Sequence, residues 1–308
     1  MKVVATGGAG FIGSHLVDAL VDRGDEVIVV DDLSSGAKQH LHPEAEFHQL
    51  DIRSRHAAEL IRRRKPDAVA HHAAQMSVSR SVREPLFDAD VNLMGSLNLL
   101  EAAREVGARF VFASTGGALY GDADALPTPE SYPAWPVSPY GVGKLGFEHY
   151  LHCYSVQHGL PYVALRYANV YGPRQNPHGE AGVIAIFCLR LLAEEEPIVN
   201  GDGRQTRDFV HVSDVVRAHV AALDSDVRGH FNVGTGRQCD INTVFEMIAE
   251  RMGTSLGKRH GPARPGDQRT SALDSTLIHE RLGWSPQVSL EDGLTDTVEW
   301  FKRAQEEI

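Results

Sequence analysis

Seven residues near the N-terminus, Gly7-Gly8-Ala9-Gly10-Phe11-Ile12-Gly13, limit the folds open to this chain more than any other stretch. They follow an apolar run at residues 3–6 and open a segment, 11–23, in which Ile12, Leu16 and Leu20 recur at helical spacing before Gly24. Glycines at such a junction allow a tight turn from strand to helix and let the backbone approach a ligand closely. The helix that starts there points unpaired N–H groups and a positive dipole end outward, a place for a pyrophosphate. Gly7, Gly10, Phe11, Ile12 and Gly13 are therefore the expected floor of a dinucleotide site. Asp31 ends the next apolar run, 26–30, about 20 residues further on, where a carboxylate meets the adenosine ribose hydroxyls. Asp31 and Asp32 together would repel a 2'-phosphate, so the expected cofactor is NAD rather than NADP.

The same alternation continues through the first half. Strands are expected at 47–50, 68–71, 110–113 and 162–166, and helices at 57–64, 89–106 and 140–158. Successive βαβ units of this kind predict an α/β fold, a Rossmann-type doubly wound parallel sheet. From about residue 169 the texture becomes richer in glycine, proline and charge, with helical stretches at 214–223, 243–252 and 290–304. The expected organisation is an NAD-binding domain at 1–168 and a smaller C-terminal α/β substrate-binding lobe at 169–308, some of whose segments return to the first domain. A chain of 308 residues, 42% hydrophobic, is long enough to bury such a core.

Charge narrows the partners. Thirty basic against 41 acidic residues give a net charge of -11, which argues against a nucleic-acid or anionic-membrane surface. Any anionic ligand must be held by local groups. Three cysteines, Cys153, Cys188 and Cys239, are no disulfide framework and point to a reducing cytoplasm. The N-terminus lacks a signal-peptide pattern, and the apolar run 183–192 is short and carries Arg190. No His/Cys cluster has metal-ligand spacing, so no metal is expected.

Tyr140 and Lys144 lie four residues apart in Ser138-Pro139-Tyr140-Gly141-Val142-Gly143-Lys144. Pro139 suits the first position of a helix, which puts both side chains on one face. A neighbouring ammonium and an oxidised nicotinamide ring both favour a phenolate, lowering the tyrosine toward the working range of a general base. Thr115 follows the expected strand 110–113, and the C-terminal ends of parallel strands are where such sheets place ligands. A hydroxyl there can share a hydrogen bond with a substrate oxygen being deprotonated, or simply cap its own turn.

With the glycine loop, Thr115, Tyr140 and Lys144 resemble the extended short-chain dehydrogenase/reductase superfamily. Over essentially the whole chain the sequence is similar to its UDP-glucose 4-epimerase branch, through Asp51-Ile52, His72-Ala73-Ala74, Asn92, residues 166–169, residues 207–212 and residues 264–267. The resemblance implies that Asp51 and Ile52 contact adenine and that Ala73, Ala74 and Gln75 line the cofactor's diphosphate and nicotinamide ribose, with Asn92 nearby. Tyr167 would lie at the nicotinamide end, and Tyr140 and Lys144 would also touch the cofactor. On the substrate side it implies Ser77, Thr115, Tyr140 and Val183, with Asn169, Arg207 and Arg264 on the diphosphate and Asp267 on the ribose. Ser271 would face the sugar's C2 substituent. Two departures stand out: Met76 replaces a common basic residue, and Gly116-Gly117-Ala118 is one residue longer than the usual serine-rich stretch.

The implied reaction inverts carbon 4 of a UDP-sugar, most simply UDP-glucose and UDP-galactose, through a transient 4-keto sugar with NAD kept bound. UDP-N-acetylglucosamine remains open because Ser271 is small. UDP-glucuronate remains open because Arg174, Gln175 and His178 could face a C6 carboxylate. A 4,6-dehydratase needs an acid and a base after the threonine, where Gly116 and Gly117 supply neither. A non-catalytic NAD-binding regulator would not need the tyrosine–lysine pair. The resemblance also implies a homodimer, formed through the helices at 89–106 and 140–158.

Overall fold

The computed structural model describes residues 1–176, 182–263 and 268–306. Its strands are β1 (Lys2–Thr6), β2 (Glu26–Asp31), β3 (Glu46–Gln49), β4 (Ala68–His71), β5 (Arg109–Thr115), β6 (Tyr162–Tyr167), β7 (Asn169–Tyr171), β8 (Ile198–Asn200), β9 (Thr206–Arg207), β10 (Phe209–His211), β11 (Gly229–Val233), β12 (Cys239–Asp240) and β13 (Arg259–Gly261). The helices are α1 (Phe11–Asp22), α2 (Arg55–Arg64), α3 (Val78–Arg83), α4 (Pro85–Ala89), α5 (Ser96–Val106), α6 (Pro139–His158), α7 (Val183–Leu192), α8 (Val212–Leu223), α9 (Ile241–Met252), α10 (Thr276–Leu282) and α11 (Leu290–Glu306).

The main sheet runs β11-β6-β5-β4-β1-β2-β3, and every pairing in it is parallel. Strands β1, β4 and β5 are apolar on both faces because helices cover both. Leu16, Val17 and Leu20 of α1 and Val215, Ala218 and Ala222 of α8 pack on one face. Leu60 and Ile61 of α2, Leu99 and Leu100 of α5, and Phe147 and Leu151 of α6 fill the other. Each of the buried Val, Leu, Ile and Phe side chains contributes about 1.5–3 kcal/mol relative to exposure. A separate core under α7, α9 and α11 gathers Ile184, Phe187, Val244, Phe245, Leu294 and Phe301. Residues beyond 168 thus enter both bodies: β11 forms the edge of the main sheet, and α8 covers it.

Because the strands are parallel, their C-terminal ends share one edge. The order reverses between β4 and β1, which opens a crevice at that edge. One helix differs from expectation. The stretch expected to be continuous over 89–106 is broken by a π turn at Asp90–Gly95 before α5 begins. Packing explains it: a Cβ on Gly95 would stand 2.9 Å from Ile52. The widened turn also carries Asn92 inward to the loop after β4.

Candidate active site

The glycine loop is built as its sequence demands. Gly7 has φ +70, and a Cβ there would lie 2.6 Å from the Ala73 nitrogen, so the loops after β1 and β4 meet backbone to backbone. A Cβ on Gly13 would collide with the Gly7 carbonyl. The resulting cradle leads into the N-terminus of α1, with Phe11 and Ile12 in its first turn partly exposed. Asp31, buried at the end of β2, accepts hydrogen bonds from Ala9 N at 3.0 Å and Leu33 N at 2.8 Å. Burial raises its carboxyl, although those two backbone donors oppose the rise. Asp32 is exposed and accepts from Ser34.

Around the crevice, Asp51 is held by Arg53, which also reaches Asp90, and Ile52 is buried beside it. Ala73, Ala74 and Gln75 form the extended run after β4. Asn92 pairs with the Gln75 backbone, its Oδ1 accepting from N and its Nδ2 donating to O, both at 2.9 Å. Gln75 Nε2 donates to Asp88 Oδ1 at 2.7 Å and to Ser77 O at 2.9 Å. Ser77 caps α3 by accepting from Arg80 N at 3.0 Å. Asn92 is therefore spent on holding this loop in place. Met76 is exposed.

Helix α6 delivers the tyrosine and lysine. Ser138 Oγ accepts from Gly141 N at 3.2 Å, Pro139 fills the first turn, and Gly159 ends the helix in the left-handed region. Lys144 is buried, and its Nζ donates to Ala113 O at 2.9 Å while lying 4.6 Å from the Phe112 ring centroid and 5.8 Å from that of Tyr140. Desolvation pulls the ammonium from 10.5 down to about 8, against the charges of Asp88 and Glu148. With the protein groups alone, the Tyr140 phenol is pushed up, first by burial and then by the Asp88 charge. Desolvating a phenolate outweighs an ammonium that is bonded elsewhere, so the nearby lysine alone does not activate it.

Thr115 is the last residue of β5, in register with Tyr167 at the end of β6. Its Oγ1 accepts from Ala118 N at 3.3 Å, the turn-capping role foreseen for it. Its proton remains available to a ligand oxygen. Tyr167 is buried, and its hydroxyl shares a 2.8 Å bond with His219 Nδ1, which leaves the ring rather than the hydroxyl for a ligand.

On the other wall, Asn169 opens β7 with its Oδ1 4.0 Å from where a Gly117 Cβ would stand. The Leu273 side chain packs over Gly116, against where a Cβ would stand. Arg207 is half-buried and donates to Thr206 O and Gln268 O, both at 2.8 Å. Val183 begins α7, partly buried. Arg174 does not face a sugar: it ion-pairs with Asp18 of α1 at 2.7 Å. Gln175 donates to Val170 O at 2.8 Å. His178, Arg264 and Asp267 lie outside the described residues. Among the described residues no set of His, Cys, Asp or Glu converges as a metal site, and no helix is long and apolar enough to cross a membrane.

The sequence reading missed two groups. Asp88, which ties Gln75 to Asn92 and faces Lys144, gave no signal beyond its helix. Glu148, one turn past Lys144 on the same face, was legible from the spacing 140, 144, 148.

The fold is shared with known proteins. The family model described as GDP-mannose 4,6 dehydratase matches residues 4–297. The UDP-glucose 4-epimerase of Mycolicibacterium smegmatis is 46% identical, the match covering 98% of this chain and 99% of that protein. The crystal structure of the Thermotoga maritima UDP-glucose 4-epimerase with UDP-glucose superposes with TM-score 0.97 at 48% identity, covering 99% of this chain and all of that one, 100%. The Thermus thermophilus UDP-glucose 4-epimerase in complex with NAD gives TM-score 0.95 at 44% identity, covering 99% and 100%.

Proposed function

Since the chain belongs to the extended short-chain dehydrogenase/reductase superfamily, in its UDP-glucose 4-epimerase-like branch, we propose that it is an NAD-dependent UDP-sugar 4-epimerase with UDP-glucose and UDP-galactose as its leading pair. One observation carries the reading: Thr115, Tyr140 and Lys144 stand at the same sheet edge as a glycine cradle, and Gly116 and Gly117 after the threonine offer no further acid or base. The cradle fits a dinucleotide diphosphate, because Gly7 and Gly13 let the turn close on its own backbone and present the N-terminus of α1 to the ligand.

When bound, NAD supplies the acceptor and donor of a hydride at sugar C4. Tyr140 takes the proton from the 4-hydroxyl and returns it to the 4-oxygen after the keto sugar has turned its opposite face. Lys144 keeps a positive charge beside the phenolate and holds the cofactor ribose. Tyr140 is half-buried beside Lys144, and an oxidised nicotinamide ring, when bound, would add a second positive charge favouring its phenolate. Thr115 orients the 4-oxygen. Asp31 receives the adenosine ribose; Asp51 and Ile52 border the adenine; Ala73, Ala74 and Gln75 line the diphosphate side. Ser77, Asn169, Val183, Arg207 and Ser271 border the substrate, and Arg264 and Asp267 complete its diphosphate and ribose contacts. Arginine at the diphosphate compensates for an acidic protein.

Part of the proposal is a homodimer through the stretches 89–106 and 140–158, supported by apolar side chains left exposed on them: Met94, Val142 and Tyr150. The cysteines are free, which suits a reducing cytoplasm. A panel of UDP-sugars tests the substrate. Interconversion of UDP-glucose and UDP-galactose is expected; inactivity on both neutral hexoses, with turnover of an N-acetylhexosamine or a uronate, would replace that pair.

A further inference from the structure

Glu148 of α6 and Arg166 of β6 form an ion pair of which both side chains are only 5% exposed. Arg166 Nη2 donates to Oε2 at 2.6 Å and Nε to both oxygens at 3.1 Å. Ser114 Oγ donates to Oε1 at 2.5 Å. From Arg166 the bonds continue through Tyr120 OH at 2.8 Å to Asn232 Oδ1 at 2.9 Å, and Asn232 donates to Thr128 O and Asp274 O. Burying two opposite charges is a poor way to stabilise a fold, since apolar replacements of similar volume do as well or better. The pair calls for another reason.

Its place supplies one. Ala113, Ser114 and Thr115 are consecutive at the tip of β5. Lys144 holds the first through its carbonyl, and Glu148 holds the second through its hydroxyl. Helix α6 thus grips the strand end by two rungs one helical turn apart, and Thr115 is the next residue.

We propose that Glu148, clamped by Arg166, is a positioning residue: it fixes the tip of β5 on α6, setting Thr115 against Tyr140, and keeps a negative charge beside Lys144. This rests on the reading of Tyr140 and Lys144 as the catalytic pair. The groups facing Lys144 are Glu148 on its own helix, Asp88 from α4, His71 of β4, His72 just after it, and the Tyr140 phenol. The two carboxylates favour its ammonium, and burial opposes them.

Single replacement of Glu148 would leave Arg166 buried and unpaired, so the informative variants are S114A, which removes one rung, and E148M/R166M, which removes both charges together. Two readouts are taken on the full-length NAD-loaded protein. One is UDP-galactose turnover against pH; the other is titration of the Lys144 Cε resonance in 13C-lysine-labelled protein, assigned with K144M. S114A should lower kcat about tenfold with KM and bound NAD unchanged, as loss of alignment does, and S114T should recover most of it. E148M/R166M should move the Lys144 midpoint down and carry the alkaline limb of kcat with it. Wild-type kcat in both variants, or an unmoved Lys144 midpoint in the double variant, overturns the proposal. If the wild type itself turns over no UDP-sugar, the functional reading falls instead, and the lysine titration still decides this one.

Discussion

Replacing Lys144 with methionine should make the protein more stable and inactive at once. Lys144 is 4% exposed, and burial lowers its ammonium from 10.5 to about 8. At about 1.4 kcal/mol per pH unit, holding it charged at neutral pH costs about 3 kcal/mol. Methionine fills most of the same volume without the charge. It forfeits the bond to Ala113 O, worth about 1 kcal/mol, and the contacts with the Phe112 and Tyr140 rings, worth about 1 kcal/mol together. The balance is a gain of about 1 kcal/mol, or about 1.5 °C in Tm for a chain of this size. The sign has a pH signature. Between about pH 8 and the ordinary lysine value of 10.5, the unfolded chain binds the proton more tightly than the folded one. Wild-type stability therefore rises with pH across that window, and the variant lacks this rise. Denaturation of both proteins, nucleotide-free, at about pH 7 and about pH 10 should show the K144M advantage at the lower value and its shrinkage at the higher. Turnover should drop at least about a hundredfold. A variant less stable than wild type at neutral pH, or a gap indifferent to pH, refutes the reasoning.

Tyr140→Phe should remove turnover by a factor of about 10³ and leave bound NAD intact, measured on the nucleotide released by denaturation; surviving activity would remove Tyr140 from its role. Gly13→Ala drives a methyl into the Gly7 carbonyl, so the purified protein should carry little or no NAD. Asp31→Ser deletes the acceptor of Ala9 N and Leu33 N as well as the ribose carboxylate. NAD should bind at least about tenfold more weakly by calorimetry, with NADP, no longer repelled by Asp31, gaining relative to it.

What the sequence disclosed is what short-range chemistry dictates. The glycine loop, the acid at the end of β2 and the Pro139-led helix each follow from a few neighbouring residues, and their positions stand within a residue or two in the structure. Thr115 proved to end β5 rather than follow it, since Ser114 and Thr115 continue the pairing with β6. The π turn was hidden because it depends on Gly95 meeting Ile52 across the chain. That some later segment returns to the first domain was expected, but that it is β11 was not legible, for pairing with β6 is a long-range choice. Spacing put Lys144 beside Tyr140, but the upward push that burial and Asp88 give the phenol was not legible, because burial is a property of the packed crevice. Arg174 looked like a sugar ligand until the fold placed Asp18 next to it.

The central claim is that C4 is oxidised and reduced again within one site. UDP-galactose carrying deuterium at C4 tests it directly. Incubated with the NAD-loaded protein in ordinary water, it should yield UDP-glucose that keeps its deuterium at C4. UDP-glucose formed with the deuterium exchanged into solvent, or no interconversion at all, would contradict the account.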